Sequence, residues 1–206
     1  MESKKNNAWY DKSIVPFEMV KGAKAEIPGW KKLEYTDHFK VLDELIKSID
    51  VKSIVDMGCG AAEIGRLYDS LEYLGVDLPH VIENVAKVVN PNLEYLEFDA
   101  NESSFDFLEN YDLVLMNGFL SEMPDPIEIL ESVLSNSLNY VIIHRQDFTD
   151  SLDTFIQTYN SYGGIKATNS VINLEEFKII CHKHGFHTTI KDSNLADKKT
   201  ILLQKN

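Results

Sequence analysis

Short apolar runs alternate with amphipathic segments along most of this chain, a pattern typical of buried strands flanked by surface helices. The apolar runs predict strands at 53–57, 73–76, 93–98, 112–116, 140–143, 186–190 and 200–204. The amphipathic stretches between them predict helices at 62–70, from about 80, near 104–109 and at 126–136. Two more helices are predicted, one capped by Thr36 or Asp37 and one capped by Asn173. The pattern therefore predicts an α/β protein.

The segment 53–65 combines a buried strand with a glycine turn and the start of a helix. Ile54 and Val55 form a β-branched apolar run, and Gly58 and Gly60 follow where the chain must bend sharply. Free N–H groups collect at the N-terminus of the next helix. The turn is therefore suited to a ligand that contacts the backbone.

Two classes of ligand use such a turn, and the surrounding residues distinguish them. The dinucleotide pattern G-x-G-x-x-G requires a glycine where this chain has Glu63. The pattern Asp-x-Gly-x-Gly-x-Ala fits instead, at Asp56, Gly58, Gly60 and Ala62. This pattern resembles the first motif of the class I S-adenosylmethionine (SAM)-dependent methyltransferases. The acid before the glycines suits a ligand with an ammonium and a sulfonium group better than one with a pyrophosphate.

The next three predicted strands are also followed by polar residues, namely Asp77, Asp99 and Asn117. Taken singly, each aspartate could be an ordinary turn residue. Ligands of open parallel sheets bind outside the carboxyl ends of the strands, so together these residues describe one crevice. The resemblance implies that Asp77 binds both ribose hydroxyls of an adenosine and that Asp99 meets the adenine amino group. The predicted cofactor contacts are Asp56, Gly58, Cys59, Gly60, Asp77, Leu78, Asp99, Ala100, Asn117, Gly118 and Phe119.

The resemblance implies a Rossmann-like fold with a seven-stranded, mostly parallel sheet. Helices flank this sheet, and its last two strands form an antiparallel C-terminal hairpin. The 206 residues, of which 44% are hydrophobic, suffice for one substantial core, and no linker-like stretch divides them. We therefore expect a single methyltransferase domain over residues 1–206.

Two residues of the predicted crevice are candidates for a catalytic base. Glu122 lies in a stretch, 117–126, that resembles the family's fourth motif, at a position where many small-molecule members carry a histidine facing the acceptor. His144 directly follows the fifth strand, which predicts a place at the crevice rim, and imidazole suits proton transfer near neutral pH. Each has a structural alternative. Glu122 can simply open the following helix, and His144 can be a hydrogen-bonded rim residue.

The predicted acceptor site draws on three parts of the chain. Arg145 can bind a carboxylate or phosphate of the acceptor in a bidentate fork, or can pair with a nearby acid. We expect the aromatic N-terminal segment 1–35 and the insertion 146–172 to flank the strand ends, with Tyr10 and Tyr162 as substrate contacts. Such additions usually cover the ligand in this fold, although their aromatic residues can equally pack on the sheet edge.

Charge and composition narrow the class of acceptor. The chain has 20 basic and 33 acidic residues, and its net charge of −13 repels a polyanion at long range. We therefore expect a small-molecule acceptor and no nucleic-acid partner. No signal peptide or bilayer-spanning run is recognisable, which predicts a cytoplasmic protein without a membrane partner. Cys181 and the histidines near it lack the spacing of a zinc site, so no metal is expected.

The resemblance implies a SAM-dependent methyltransferase that acts on a small or sugar-like acceptor, with O-methylation as the expected reaction. Two alternatives remain open. One is an NAD-binding oxidoreductase, against which Glu63 argues. The other is a methyltransferase-like binding or regulatory protein that keeps the glycine turn and Asp77 but has no working base.

Overall fold

The computed structural model describes residues 8–10, 12, 15–24, 26, 31–161 and 165–206. Within these ranges one sheet contains β1 (Ser53–Met57), β2 (Glu72–Asp77), β3 (Glu94–Glu97), β4 (Leu113–Asn117), β5 (Tyr140–Thr149), β6 (Phe155–Asn160), β7 (Lys166–Asn173), β8 (Phe186–Asp192) and β9 (Lys199–Lys205). The strands from β3 to β5 are parallel, in the order β3-β2-β1-β4-β5. β8 and β9 form an antiparallel hairpin beside β5. The predicted mostly parallel sheet with an antiparallel C-terminal hairpin is confirmed.

Helices pack on this sheet. All but the first fall in the segments where the sequence predicts them, and the first lies in the N-terminal segment 1–35, for which no helix is predicted. They are α1 (Val15–Ala23), α2 (Asp37–Lys47), α3 (Glu63–Leu67), α4 (Pro79–Val81), α5 (Lys87–Val89), α6 (Pro126–Asn136) and α7 (Leu174–Lys183). A π turn joins α4 to α5, and short 3-10 turns lie at Ala8–Tyr10, Leu33–Tyr35, Asp106–Asn110 and Leu120–Glu122. Thr36 caps α2 and Asn173 caps α7, each by accepting a backbone N–H. Among these described helices, none is long and apolar enough to cross a membrane.

Successive residues of each strand face opposite helical layers. Ile54 and Ile142 belong to one hydrophobic cluster, together with apolar residues of α2 and α3. Their neighbours along the strands, Val55 in β1 and Val141 and Ile143 in β5, belong to a second hydrophobic cluster, which includes residues of α6 and α7. Asp56 and His144 each follow their isoleucine by two positions, so both side chains point into the α2 layer. Strand alternation therefore decides where these two polar groups lie.

The sheet has nine strands rather than the expected seven, because β6 and β7 lie almost wholly within the insertion 146–172. β5 does not end at Ile143 but continues to Thr149. Its first half pairs antiparallel with β9, and residues 147–149 pair parallel with β7. β6 then pairs antiparallel with β7 and forms an exposed edge. The insertion therefore extends the sheet past the carboxyl ends of β1 and β4.

The change of partner along β5 occurs at a β-bulge at Arg145. The register between β5 and β9 shifts between His144 and Gln146, and Arg145 has a φ of +66°. A left-handed conformation costs a non-glycine residue roughly 1–2 kcal/mol, and such outliers collect at functional sites. Here the bulge turns the arginine side chain towards Asn117, to whose Oδ1 its Nε donates at 2.9 Å. The strained backbone at Arg145 therefore places the guanidinium where it can donate to Asn117.

Substitution of Arg145 tests this strain. Both Arg145→Gly and Arg145→Ala remove the guanidinium, but only glycine adopts the left-handed conformation freely. We expect the glycine variant to have the larger free energy of unfolding, by about 1 kcal/mol, in urea titrations. Equal stabilities, or a more stable alanine variant, would contradict a strained bulge.

Candidate active site

The glycine turn after β1 lies against the end of β2 and against the turn after β4. Gly58 and Gly60 have φ values of +69° and +53°, which glycine adopts without strain. Gly58 N donates to Val76 O at 2.8 Å, and Gly60 N donates to Asp77 Oδ2 at 2.9 Å. A Cβ on Gly58 would lie 2.7 Å from the ring of Phe119. Glycine at position 58 is therefore required both by the backbone and by packing.

A cavity of about 220 Å³, here called the Asp77 cavity, opens at the carboxyl ends of the parallel strands. Most of the predicted cofactor residues line it, together with residues of the N-terminal segment and of β6. The lining consists of Trp9, Tyr10, Met19, Gly58, Val76, Asp77, Leu78, Val81, Phe98, Asp99, Ala100, Asn101, Asn117, Gly118, Phe119, Glu122, Met123, Pro124, Arg145, Tyr159 and Ser161. The polar strand ends therefore share one cavity, as the topology of an open parallel sheet predicts.

Asp77 holds the glycine turn against the segment that follows β2. Its Oδ2 accepts the Gly60 N–H, and its Oδ1 accepts the Leu78 N–H at 2.7 Å. Burial raises the pKa of Asp77 to about 6, although both N–H groups act to lower it. Each carboxylate oxygen can accept more than one hydrogen bond. Both oxygens therefore keep capacity for the hydroxyl groups of a ligand.

Asp99, just beyond β3, has partners within the protein. Its Oδ1 accepts the Tyr10 hydroxyl at 2.8 Å and the Asn101 N–H at 3.0 Å. The pKa of Tyr10 is raised to about 12, first by burial and then by this hydrogen bond. Tyr10 therefore lies across the part of the Asp77 cavity next to Asp99.

A second cavity, of about 520 Å³ and here called the Asp56 cavity, adjoins the first. The two share Met19, Gly58, Asn117 and Arg145. The rest of its lining is Ala23, Lys31, Leu33, Thr36, Asp37, His38, Asp56, Cys59, Gly60, Ala61, Glu63, Ile64, Asn194 and Leu195. The two cavities therefore meet at the glycine turn and form one cleft.

Asp56 is a buried carboxylate with an unused oxygen. It is 2% exposed, and its Oδ2 accepts the Tyr73 hydroxyl at 3.0 Å. Its Oδ1 has no hydrogen-bond partner among the described residues. Burial raises the pKa of Asp56 to about 7; the Tyr73 hydrogen bond acts against this shift and the charge of Asp77 adds to it. A buried acceptor without a donor is suited to a polar group of a ligand.

Arg145 lies where the two cavities meet. Its Nε donates to Asn117 Oδ1 at 2.9 Å, and its Nη2 donates to Asn117 O at 3.1 Å. A Cβ on Gly118 would lie 2.5 Å from Nη2, so a side chain at position 118 would displace the guanidinium. The bulge in β5 and the turn after β4 therefore fix the arginine together.

Glu122 joins the N-terminal segment to β6. Its Oε2 accepts the Trp9 indole N–H at 2.9 Å, and its Oε1 accepts the Tyr159 hydroxyl at 2.6 Å. Burial raises the pKa of Glu122, while these two hydrogen bonds lower it. Glu122 lines the Asp77 cavity, but both of its oxygens have protein partners. A role as a base stays a prediction.

His144 is not at the crevice rim, where the sequence placed it. It is 1% exposed, and among the described residues it contributes to the lining of neither cavity. The reason is that its side chain, two positions after Ile142, points into the α2 layer, and that β5 continues past it. There its Nε2 lies 3.1 Å from His38 Nδ1, and its Nδ1 lies 2.7 Å from Thr200 Oγ1. His38, rather than His144, lines the Asp56 cavity.

Met19 and His38 are among the lining residues of the cleft that sequence reasoning missed. Met19 of α1 borders both cavities, and His38 of α2 borders the Asp56 cavity. Neither lies near a strand end, so no signal in the sequence pointed to them. Tyr162, a predicted substrate contact, lies outside the described residues. Within the described part of the chain, no three His, Cys, Asp or Glu side chains are grouped closely enough to hold a metal ion.

The raised pKa of Asp56 predicts how stability depends on pH. Its folded-state pKa of about 7 lies above the ordinary value of 3.8, so the folded state keeps a proton that the unfolded chain has lost. Its contribution to stability therefore decreases as pH rises between these two values. Asp56→Asn has no such proton, so its free energy of unfolding should fall less than that of the wild type from about pH 5 to about pH 8. Exposed Asp69→Asn is the control, and equal pH dependence in all three proteins would contradict the raised pKa.

No family model matches the chain, and no curated protein sequence matches it. Solved structures match its fold. CalS10, an amino pentose methyltransferase from Micromonospora echinaspora, superposes with a TM-score of 0.65 and 11% identity, over 91% of this chain and 97% of its own. The N-terminal domain of EvdMO1, crystallised in the presence of SAH (S-adenosylhomocysteine) and D-fucose, superposes with a TM-score of 0.63 and 12% identity, over 95% of this chain and 99% of its own.

Human N-acetylserotonin methyltransferase, in complex with SAM, gives a TM-score of 0.57 and 15% identity, over 93% of this chain and 65% of its own. At these identities the similarity concerns the fold. In this chain, the fold consists of the parallel strand order, the glycine turn after β1 and the antiparallel hairpin beside β5. The chain therefore has the Rossmann-like fold of the class I SAM-dependent methyltransferases.

Proposed function

We propose that this protein is a SAM-dependent methyltransferase that methylates a hydroxyl group of a small, sugar-like acceptor. The observation that carries the proposal is the convergence of Asp56, Asp77 and Asp99 on two adjoining cavities around one glycine turn. A phosphate-bearing ligand meets carboxylates of its own charge there, whereas SAM brings an ammonium, a sulfonium and ribose hydroxyls. The charge pattern therefore favours SAM over a dinucleotide.

The Asp77 cavity fits the adenosine part of this cofactor. Asp77 has acceptor capacity left for ribose hydroxyls, because its two oxygens each accept one backbone N–H. Asp99 and Ala100 are proposed to border the adenine. Leu78 and Phe119 supply apolar surface in the same cavity. The residues that the family resemblance assigns to the adenosine therefore line the same cavity.

The Asp56 cavity fits the methionine part. The unpaired Oδ1 of Asp56 offers an acceptor to the ammonium group, and the turn at 58–60 offers backbone contacts. When bound, SAM supplies a methyl group on a sulfonium, and the protein's main contribution is to hold an acceptor in line with it. Asn117, fixed by Arg145, borders both cavities and is proposed to shape the position beside that methyl group.

A small acceptor agrees with the charge and with what surrounds the cleft. The net charge of −13 disfavours a nucleic acid. The segment 1–35 and the insertion 146–172 are proposed to cover the acceptor, since Trp9 and Tyr159 meet on Glu122 at the cavity wall. CalS10 is an amino pentose methyltransferase, and the EvdMO1 domain was crystallised with D-fucose present, which supports a sugar-like acceptor. A cytoplasmic location is part of this proposal, because SAM is made there.

A binding or regulatory protein without turnover is the second candidate. One observation favours it: both oxygens of Glu122 are engaged by protein donors, and His144 is buried away from the cleft. For Glu122 to take a proton from an acceptor, one of its two contacts must open. The two candidates share cofactor binding and differ in turnover.

Calorimetry with SAM, SAH and NAD distinguishes the cofactor classes. We expect SAM and SAH to bind and NAD not to bind, because Glu63 stands where the dinucleotide pattern has its third glycine, which packs the helix closely against the strand. Binding of NAD in the absence of SAM binding would overturn the proposal.

Asp77→Asn tests the ribose contact. The amide keeps one acceptor oxygen, loses the charge and turns its NH2 group towards one of the two backbone N–H groups, so SAM affinity should fall about tenfold to a hundredfold, or ~1.5–3 kcal/mol. Asp69→Asn changes an exposed aspartate just before β2 and should keep wild-type affinity. If both variants bind SAM like the wild type, Asp77 only shapes the turn.

A further inference from the structure

Three hydrogen-bonding side chains form a line from the Asp56 cavity into the sheet. His38 lines the cavity, and its Nδ1 lies 3.1 Å from His144 Nε2. His144 Nδ1 in turn lies 2.7 Å from Thr200 Oγ1. His144 and Thr200 are 1% and 0% exposed. The line therefore connects an imidazole at the cavity wall to two groups that water does not reach.

The fold fixes this line at both ends. His144 and Thr200 are direct partners in the antiparallel pairing of β5 with β9, so their side chains lie on the same face of the sheet. That face is covered by α2, whose first turn carries His38. Thr36 caps this helix by accepting the Phe39 N–H. His38 is therefore presented by a defined helix end rather than by a loop.

The two hydrogen bonds can run in either direction, and each direction gives His38 a different tautomer. If His38 Nδ1 donates to His144 Nε2, then His144 Nδ1 donates to Thr200, and His38 keeps an unprotonated Nε2. In the reverse direction, His38 carries its proton on Nε2. Only the first direction leaves His38 a nitrogen that can accept a proton at the cavity.

We propose that His38 accepts the proton in the methyl-transfer step and that His144 and Thr200 are positioning residues that fix its tautomer. The acceptor is then a compound with a hydroxyl group to be methylated, bound where the two cavities meet, with that hydroxyl beside His38. This inference rests on the proposed function and adds the residue that makes a hydroxyl reactive. It assigns the proton to neither of the bases that the sequence suggested, Glu122 and His144.

The step balances in atoms and charge. The hydroxyl oxygen forms a bond to the methyl carbon while the sulfur–methyl bond breaks and its electron pair stays on sulfur. The hydroxyl proton passes to His38 Nε2. The products are a methyl ether, a neutral thioether and an imidazolium, which afterwards returns its proton to solvent. One positive charge has moved from sulfur to the histidine.

His38 must be neutral to accept this proton, and its surroundings keep it so. Burial lowers the pKa of His38 to about 4; the charge of Arg145 also lowers it, and that of Asp37 raises it. The other titratable groups that line the cavity are Lys31, Asp56, Cys59 and Glu63. A weak base suffices, because the hydroxyl proton becomes strongly acidic as its oxygen bonds to the methyl carbon. His38 is therefore available throughout the neutral range.

Nitrogen NMR tests the arrangement without any turnover. In protein labelled with ¹⁵N-histidine, two-bond proton–nitrogen correlations distinguish the two neutral tautomers, and His38→Gln and His144→Gln assign the signals. We expect both histidines to be neutral with the proton on Nδ1 at about pH 7. SAH should shift the signals of His38 and not those of the exposed His182 and His187. A proton on Nε2 of His38, or titration of His38 at the usual pKa of imidazole, would overturn the proposal.

Methyl transfer from SAM to D-fucose, which offers only hydroxyl groups, tests the chemical role. His38→Gln should lower kcat about 10²–10⁴-fold and leave SAM affinity unchanged. His187→Gln changes an exposed histidine of β8 and should keep the wild-type kcat. A wild-type kcat in His38→Gln contradicts the role of His38 and leaves the proposed function intact. Failure of the wild-type protein to bind SAM contradicts the proposed function instead, and so does a wild-type protein that binds SAM but transfers no methyl group to D-fucose or to other hydroxylated sugars.

A pair of substitutions at His144 separates positioning from packing. The glutamine oxygen of His144→Gln can accept the His38 Nδ1–H, whereas His144→Leu offers no acceptor. The glutamine variant should therefore keep the His38 tautomer and more of kcat than the leucine variant, with similar KM values for D-fucose. Thr200→Val exchanges the hydroxyl for a methyl group and so removes the partner of His144 Nδ1, and the protons of both histidines should then move to Nε2. This variant tests the positioning role even if either His144 variant does not fold. Equal tautomers and equal kcat in all these variants would contradict a positioning role.

Discussion

The hydrogen bond from Gly60 N to Asp77 Oδ2 is the interaction on which the candidate site depends. It joins the turn after β1 to the end of β2, and the neighbouring Leu78 N–H on Oδ1 holds the same carboxylate from the other side. The left-handed φ values at Gly58 and Gly60 are what bring the backbone close enough. Once this junction is fixed, the Asp77 and Asp56 cavities lie on either side of one turn. The left-handed backbone at Gly58 and Gly60 therefore divides the cleft into its two cavities.

The cleft concentrates negative charge where water is scarce. Burial raises the pKa of Asp56 to about 7 and that of Asp77 to about 6. Arg145 offsets part of this charge, from a bulge whose left-handed backbone carries strain. A ligand that brings positive charge into this cleft lowers both carboxyl pKa values and stabilises the ionised forms. Electrostatics alone thus gives a reason for a cationic cofactor, independently of any structural similarity.

Much of the frame could be predicted from the sequence, because buried strands and their polar ends leave local signals. The strand that runs into Asp77, the glycine turn and the cap at Asn173 are examples, and each depends on neighbouring residues only. The extra strands β6 and β7 were not predicted, because their formation depends on the bulge at Arg145 and on a change of pairing partner.

Side-chain direction was the second thing that the sequence could not supply. Strand alternation points His144 into the α2 layer, and because β5 continues to Thr149, His144 is buried within the strand instead of lying at its end. His38 was missed for a related reason, since α2 reaches the cleft through tertiary packing alone. In both cases a long-range contact overrides what the local pattern indicates.

A crystal structure of the protein with SAH would show whether the cleft holds the cofactor. We expect the ribose hydroxyls on the Asp77 carboxylate, the adenine next to Asp99 and Phe119, and the amino-acid part beside Asp56 at the glycine turn. SAH bound elsewhere, or no SAH at this cleft in crystals grown at saturating concentration, would contradict this placement.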